Sequence, residues 1–168
     1  MMIKRFILLI FSGILFISSC SIAEEKHIDY QHNTSKFSLP ADLHQLLTKE
    51  MLAIEKAMQE LLSSIAKGNW QKTATIAAQI KASYIMKQSL TDDQKKQLHD
   101  ILPEQFVKLD QSFHHYAEML AHAAKIKNAD VVNFYFYKLN DSCVQCHSSY
   151  AQAKFSGFAD LTKKHHSH

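Results

Sequence analysis

Apolar residues recur along this chain at alternating steps of four and three, and that periodicity limits the fold more than any other feature. Such spacing places the apolar side chains on one face of an α-helix. Only three glycines and two prolines interrupt the 168 residues, and no Val/Ile/Thr-rich alternating run typical of strands is present. The sequence therefore predicts an all-α protein. Its clearest apolar stripe consists of Leu47, Met51, Ile54, Met58, Leu61 and Ile65.

Capping residues predict where the first two helices begin and end. We expect the first helix to start near residues 39–40, with Ser38 as its N-cap, and to stop at Gly68, a favourable residue after a helix end. Asn69 is placed to cap a second helix over about 70–88. The connection between the two helices is therefore short.

The remaining helices are marked by similar signals. Thr91 and Gln94 form a predicted capping box that starts a third helix, and Pro103 either breaks that helix or starts a new segment. A last helix is predicted over about 129–154 after a periodic stretch that ends near Asn128. Four long helices with short connections are typical of an antiparallel four-helix bundle.

A Cys-x-x-Cys-His motif lies in the last predicted helix, at residues 143–147, and this is the attachment signature of c-type haem. Each thiol forms a thioether with one haem vinyl group, and the following imidazole binds the iron. On a helix, Cys143 and His147 lie four residues apart and share a face. The sequence therefore predicts one covalent haem in the bundle core, held by Cys143 and Cys146, with His147 as an axial iron ligand.

Two other chemistries use the same pair of cysteines. A zinc site would need a second Cys or His pair at finger spacing, which this sequence lacks. A redox dithiol normally lies at a helix N-terminus after a strand, whereas this pair lies late in a helical pattern. We therefore favour haem.

The N-terminal residues have the pattern of an export signal. Lys4 and Arg5 precede an apolar stretch over 6–17, which is short for a membrane span and typical of a secretory leader over residues 1–19. The segment Ile17-Ser18-Ser19-Cys20 resembles the bacterial lipobox. That resemblance implies cleavage before Cys20 and lipidation of its thiol.

Lipidation of Cys20 would tether the protein to a membrane. Several acyl chains anchor a protein firmly, whereas a single chain binds marginally. Ser21 after the cysteine implies the outer membrane in such lipoproteins, with residues 20–38 as the lipidated Cys and a polar tether. The alternative is ordinary cleavage near Ala23. A location on the periplasmic side of the bacterial cell envelope agrees with haem c, which bacteria attach outside the cytoplasm.

Charge gives no indication of a nucleic-acid partner. The net charge is +3, and Lys4 and Arg5 belong to the predicted leader, so the remaining chain is close to neutral. No basic stripe is present. We expect His114, His115 and His122 to be exposed or at a rim, and the His-rich tail over 159–168 to be a weak metal binder or a segment without function.

Residues 39–158 resemble the class II cytochromes c, the cytochrome c′-like family, in the late position of their single Cys-x-x-Cys-His motif. The resemblance implies an antiparallel four-helix bundle with haem c. It also implies a second haem-facing position on the first helix, at Met51. Family members with Met there are low-spin electron carriers, and those with an apolar residue are five-coordinate and bind NO or CO. Met58 and His44 remain alternative sixth ligands.

This chain departs from the family at two positions. Ala151 and Leu47 stand where cytochromes c′ typically have arginines that hold propionates and polarise bound gas, which makes gas binding less favoured. We therefore expect a membrane-tethered periplasmic one-electron carrier with a redox partner protein in the envelope, and not an enzyme. The alternatives are a five-coordinate NO- or CO-binding protein and a haemless envelope lipoprotein. Dimers are frequent in the family, which implies a homodimer as one option.

Overall fold

All regular secondary structure in the described part of the chain is helical. The computed structural model describes residues 37–82 and 89–158, and the all-α prediction is confirmed there. The helices are α1 (Ala41–Ala66), α2 (Trp70–Lys81), α3 (Asp92–Ile101), α4 (Glu104–Lys125) and α5 (Ala129–Tyr150), followed by a short 3-10 turn, Ser156–Phe158.

The long helices contact one another in a closed order. Helix α1 contacts α2, α2 contacts α4, α4 contacts α5, and α5 contacts α1. This order is compatible with a helical bundle. Within the described ranges no helix is both long and apolar enough to cross a membrane.

Local capping signals operate as predicted at three helix ends. Gly68 adopts a left-handed backbone with φ of 64°, which glycine tolerates, and so ends α1. The Asn69 side chain accepts a hydrogen bond of 3.1 Å from the Lys72 amide at the start of α2. Thr91 and Gln94 form the complete capping box of α3.

Pro103 is the N-cap of α4, so it starts a new helix, one of the two alternatives predicted for it. Two other helix boundaries differ from the predictions. The N-cap of α1 is Pro40, not Ser38. The last helix ends at Tyr150 rather than near residue 154, because Ala151 leaves the helical region at φ −126° and ψ 22°. Residues 83–88, the predicted end of the second helix, lie outside the described residues.

The buried face of α1 is rotated from the predicted stripe. Its buried residues are Leu43, Glu50, Ile54, Ala57, Leu61 and Ser64, whereas Met58 is half-buried and Met51 is 36 % exposed. The buried Ser64 of α1 contacts α2 directly. The Thr73 hydroxyl of α2 lies 2.9 Å from the Ser64 hydroxyl, which donates to the Leu61 carbonyl. The buried face of α1 thus includes small and polar residues as well as apolar ones, and Met51 lies outside it.

One core joins the four long helices. Each contributes a fully buried branched aliphatic side chain to the same hydrophobic cluster: Leu61 from α1, Ile80 from α2, Leu120 from α4 and Leu139 from α5. Full burial of such a side chain stabilises a fold by about 1.5–3 kcal/mol. This core holds the part of α5 that leads into the Cys-x-x-Cys-His motif.

Three aromatic rings meet at the end of the molecule where α5 stops. The ring centroids of Phe37 and Phe106 are 5.2 Å apart, those of Phe106 and Tyr150 5.2 Å, and those of Phe37 and Tyr150 5.8 Å. Phe37, assigned above to the polar tether, thus packs on the folded domain because its ring finds apolar partners there. The rest of the tether, the leader, Cys20 and the tail over 159–168 lie outside the described residues.

Candidate functional site

The five motif residues occupy the last two turns of α5. Cys143 and Cys146 are free thiols, and both are half-buried. Cys143 packs against the core cluster to which Leu139 belongs. Because the backbone is helical here, Cys146 and His147, which follow Cys143 by three and four residues, lie on the same side of α5 as Cys143. This side of the helix can present two thiols and an imidazole to one planar ligand.

The two thiols are protonated at neutral pH. Burial raises the pKa of Cys143, and burial together with the negative charge of Asp110 raises the pKa of Cys146 to about 12. Reactive redox dithiols need the opposite shift, since the thiolate is the nucleophile. The surroundings of this pair therefore do not favour a redox dithiol, and the residues fit attachment of a haem through two protonated thiols.

The imidazole of His147 lies against an aromatic ring that the sequence analysis did not identify. The ring centroids of His147 and Phe155 are 4.5 Å apart at an interplanar angle of 22°. Burial, followed by the positive charge of Lys154, lowers the pKa of His147. The neutral form, which has a free lone pair for a metal, is thereby favoured at pH 7. An aromatic residue just beyond the helix end was the only available sequence signal for Phe155.

The three candidates for a sixth iron ligand differ in burial. Met51 is 36 % exposed and His44 is exposed, whereas Met58 is half-buried. Met58 also packs against the cluster that contacts Cys143. The expectation that Met51 lies on the packed face of the first helix is therefore wrong: the neighbouring Glu50 is buried there instead and interacts electrostatically with His114 of α4.

His114 is not a rim histidine as expected. Its side chain is 20 % exposed, its Nδ1 lies 2.8 Å from the Ile80 carbonyl of α2, and its Nε2 lies 3.5 Å from Asp110. Burial lowers the pKa of His114, but Asp110, the Ile80 carbonyl and the buried Glu50 outweigh it and raise the pKa above its usual value. The Asp110–His114 spacing of four on one helix is the signal that could have indicated this pair. His115 and His122 are exposed, as predicted.

The raised pKa of His114 predicts a pH-dependent contribution to stability. A histidine whose pKa is raised in the folded state stabilises the fold fully at pH values below its unfolded-state pKa, near 6.5. That stabilisation disappears as the pH rises through the folded-state pKa. We expect His114→Asn to cost more free energy of unfolding at pH 5.5 than at pH 8, as measured by urea unfolding. His115→Asn, on the same helix but exposed, is the control and should show no such difference. Equal costs of His114→Asn at both pH values would contradict the prediction.

Comparisons with models of known protein families, with curated proteins and with solved structures find no match for this chain. The functional interpretation therefore depends on the motif in α5 and on its surroundings.

Proposed function

We propose that this chain is a c-type cytochrome that binds one haem covalently through Cys143 and Cys146, with His147 as an axial iron ligand. The main support is the motif in the last two turns of α5, with two free, half-buried thiols and an imidazole on one side of the helix. When bound, haem supplies one-electron oxidation and reduction at its iron. The chain would attach the haem through its two thiols and provide a neutral imidazole for the iron. The core that Cys143 contacts would exclude water from the haem.

We propose an antiparallel four-helix bundle built from α1, α2, α4 and α5. Its support is the length of two connections, residues 67–69 and 126–128. Three residues span about 10–11 Å when extended, whereas the 26 residues of α1 extend over about 39 Å. Such links are too short to return the chain along a helix, which supports an antiparallel arrangement of α1 with α2 and of α4 with α5. The closed order of helix contacts also supports a bundle.

The proposed activity is one-electron transfer to and from a redox partner protein of the cell envelope. The chain acts as a carrier and not as an enzyme, because no substrate is transformed. Cys20 is the proposed lipid attachment site, which places the domain on the periplasmic side, most favourably at the outer membrane. A homodimer is compatible with this role, and no nucleic-acid partner is proposed. By resemblance to class II cytochromes c, Met51 is the proposed sixth ligand.

A second candidate function applies if Met51 is not an iron ligand. Met51 lies outside the buried face of α1, so the packing of α1 does not by itself hold its side chain in a ligand position. If Met51 does not bind iron, the sixth side is open, and the protein is a five-coordinate binder of NO or CO. This candidate keeps the roles of Cys143, Cys146 and His147.

Absorption spectra of the purified ferric and ferrous protein, with and without CO, distinguish the two functions. For an electron carrier we expect a low-spin spectrum and no CO binding by the native protein. We expect Met51→Ala to convert the iron to high spin and to admit CO. Met58→Ala is the matched control and should keep the low-spin spectrum, because in this proposal Met51 is the ligand and Met58 packs against the core cluster.

Three outcomes would contradict this proposal at different levels. Native protein that is high-spin and binds CO would favour the second function. Loss of the low-spin spectrum in Met58→Ala but not in Met51→Ala would assign the ligand to Met58. Folded protein without covalent haem, produced where haem-attachment enzymes are present, would overturn the cytochrome proposal itself.

A further inference from the structure

The turn after α5 is hydrogen-bonded on both sides of Phe155. The amides of Lys154 and Phe155 both donate to the Ala151 carbonyl at 3.0 Å, and the Phe158 amide donates to the Phe155 carbonyl at 3.1 Å. The Ala151 amide in turn donates to the His147 carbonyl at 3.0 Å. The backbone of the turn is thus tied to His147 itself, and it returns the Phe155 side chain to the end of the helix.

The contact between Phe155 and His147 differs in geometry from the other ring contacts of the described residues. The two rings lie nearly parallel, at 22°, with centroids 4.5 Å apart. The remaining ring pairs within residues 37–82 and 89–158 are tilted or edge-to-face, such as Phe37 with Phe106 at 75°. Lys154 adds a cation contact to the same ring, with Nζ 5.5 Å from the Phe155 centroid.

A ring stacked on a face of an imidazole constrains the imidazole without blocking its nitrogens. The lone pair that binds a metal lies in the plane of the imidazole, whereas Phe155 lies against the face of His147. Rotation of His147 about its Cβ–Cγ bond would break the stack. The stack therefore restricts the plane of the imidazole, keeps water from one of its faces and leaves its edge available for a ligand.

We infer that Phe155 is a positioning residue that sets the orientation of the His147 imidazole as a haem ligand. This inference rests on the proposed function, because it concerns the same iron ligand. Phe155 acts through His147 and is not itself a ligand. Its loss should widen the range of imidazole orientations and admit water to the ring. Water near the iron favours its more highly charged ferric form.

The contact can first be tested in the native holoprotein, without any variant. In NMR spectra of the diamagnetic ferrous protein, with CO added if the iron is high-spin, we expect cross-relaxation between the ring protons of Phe155 and His147. Absence of these signals would overturn the inference, since the stack would then not exist in the haem-bound protein.

Two substitutions separate stacking from simple packing. Phe155→Leu keeps an apolar side chain but removes the flat ring, and Phe155→Tyr keeps the ring. Phe158→Leu, in the same turn and half-buried, is the matched control. The readouts are the ferric electron paramagnetic resonance spectrum and the equilibrium constant for reduction against a fixed mediator.

For Phe155→Leu we expect shifted and broadened resonance lines and an equilibrium constant at least roughly twofold less favourable for reduction, because water admitted beside the imidazole stabilises the more highly charged ferric iron. Phe155→Tyr and Phe158→Leu should match the native protein. A native spectrum and equilibrium constant in Phe155→Leu would overturn the inference while leaving the cytochrome proposal intact. A native chain that never acquires haem would overturn the cytochrome proposal, and the two failures are therefore distinguishable.

Discussion

Replacing both Cys143 and Cys146 with serine is expected to abolish covalent haem attachment. A hydroxyl does not replace a thiol in forming the thioether, and no other cysteine lies near the motif, since Cys20 belongs to the predicted lipobox. The measurement is haem-dependent peroxidase staining after denaturing electrophoresis, together with the intact mass. The native chain should carry the mass of one haem, and the double variant none. Each single substitution should leave one thioether and a lower haem yield.

The intervening residue Val144 supplies a control within the motif. Its side chain is 39 % exposed, so Val144→Ala should disturb neither the fold nor the haem yield. Covalent haem on the double serine variant would contradict the assignment of these thiols. An equal loss of haem in Val144→Ala would instead indicate that the helix end, and not the thiols, limits attachment.

Leu61→Ala is expected to reduce the free energy of unfolding by about 2–5 kcal/mol. Leu61 is fully buried in the cluster shared by α1, α2, α4 and α5. Truncation removes buried apolar surface and leaves a cavity between well-packed helices. Urea unfolding followed by circular dichroism measures the change. A loss of this size is a large part of the 5–15 kcal/mol typical of a small domain, so haem yield in cells should fall too.

The next residue gives a matched comparison with the same substitution. Leu62 is 59 % exposed, so Leu62→Ala should change the unfolding free energy by only about 0.5 kcal/mol. A similar cost for both substitutions would contradict the face of α1 described above. It would indicate instead that the outer face of α1 is covered in solution, for example by a second copy of the chain.

The all-α class and several helix boundaries could be predicted from short-range sequence signals. A cap depends on about four consecutive residues, so Asn69 before α2 and the Thr91–Gln94 box before α3 could be identified without tertiary structure. Gly68 is a similar case, because its left-handed backbone is a local property. The end of α5 was less predictable. No strong helix-ending residue stands at Ala151, and the turn that follows is stabilised by its own hydrogen bonds and by the Phe155 ring.

The buried face of α1 differs from the predicted apolar stripe because hydrophobicity alone does not specify which neighbouring helices pack against it. The apolar stripe placed Met51 and Met58 at the interface, yet Glu50 and Ala57 are buried there. On this face the Ser64 hydroxyl accepts a hydrogen bond from Thr73 of α2, and the electrostatic interaction of Glu50 with His114 of α4 accompanies the burial of its carboxylate. Neither partner helix can be identified from the sequence of α1.

The sequence by itself determined the helical class, the capped helix starts and the identity of the proposed haem-attaching residues, because a helix brings residues three or four apart to one side regardless of its neighbours. Only the tertiary structure decided what surrounds those residues. Ile80 and His114 are 34 positions apart, and His147 and Phe155 are separated by a turn, so folding and not local periodicity brings each pair together. Burial, ring stacking and the resulting pKa shifts arise from contacts between separate segments, so they depend on how the helices pack.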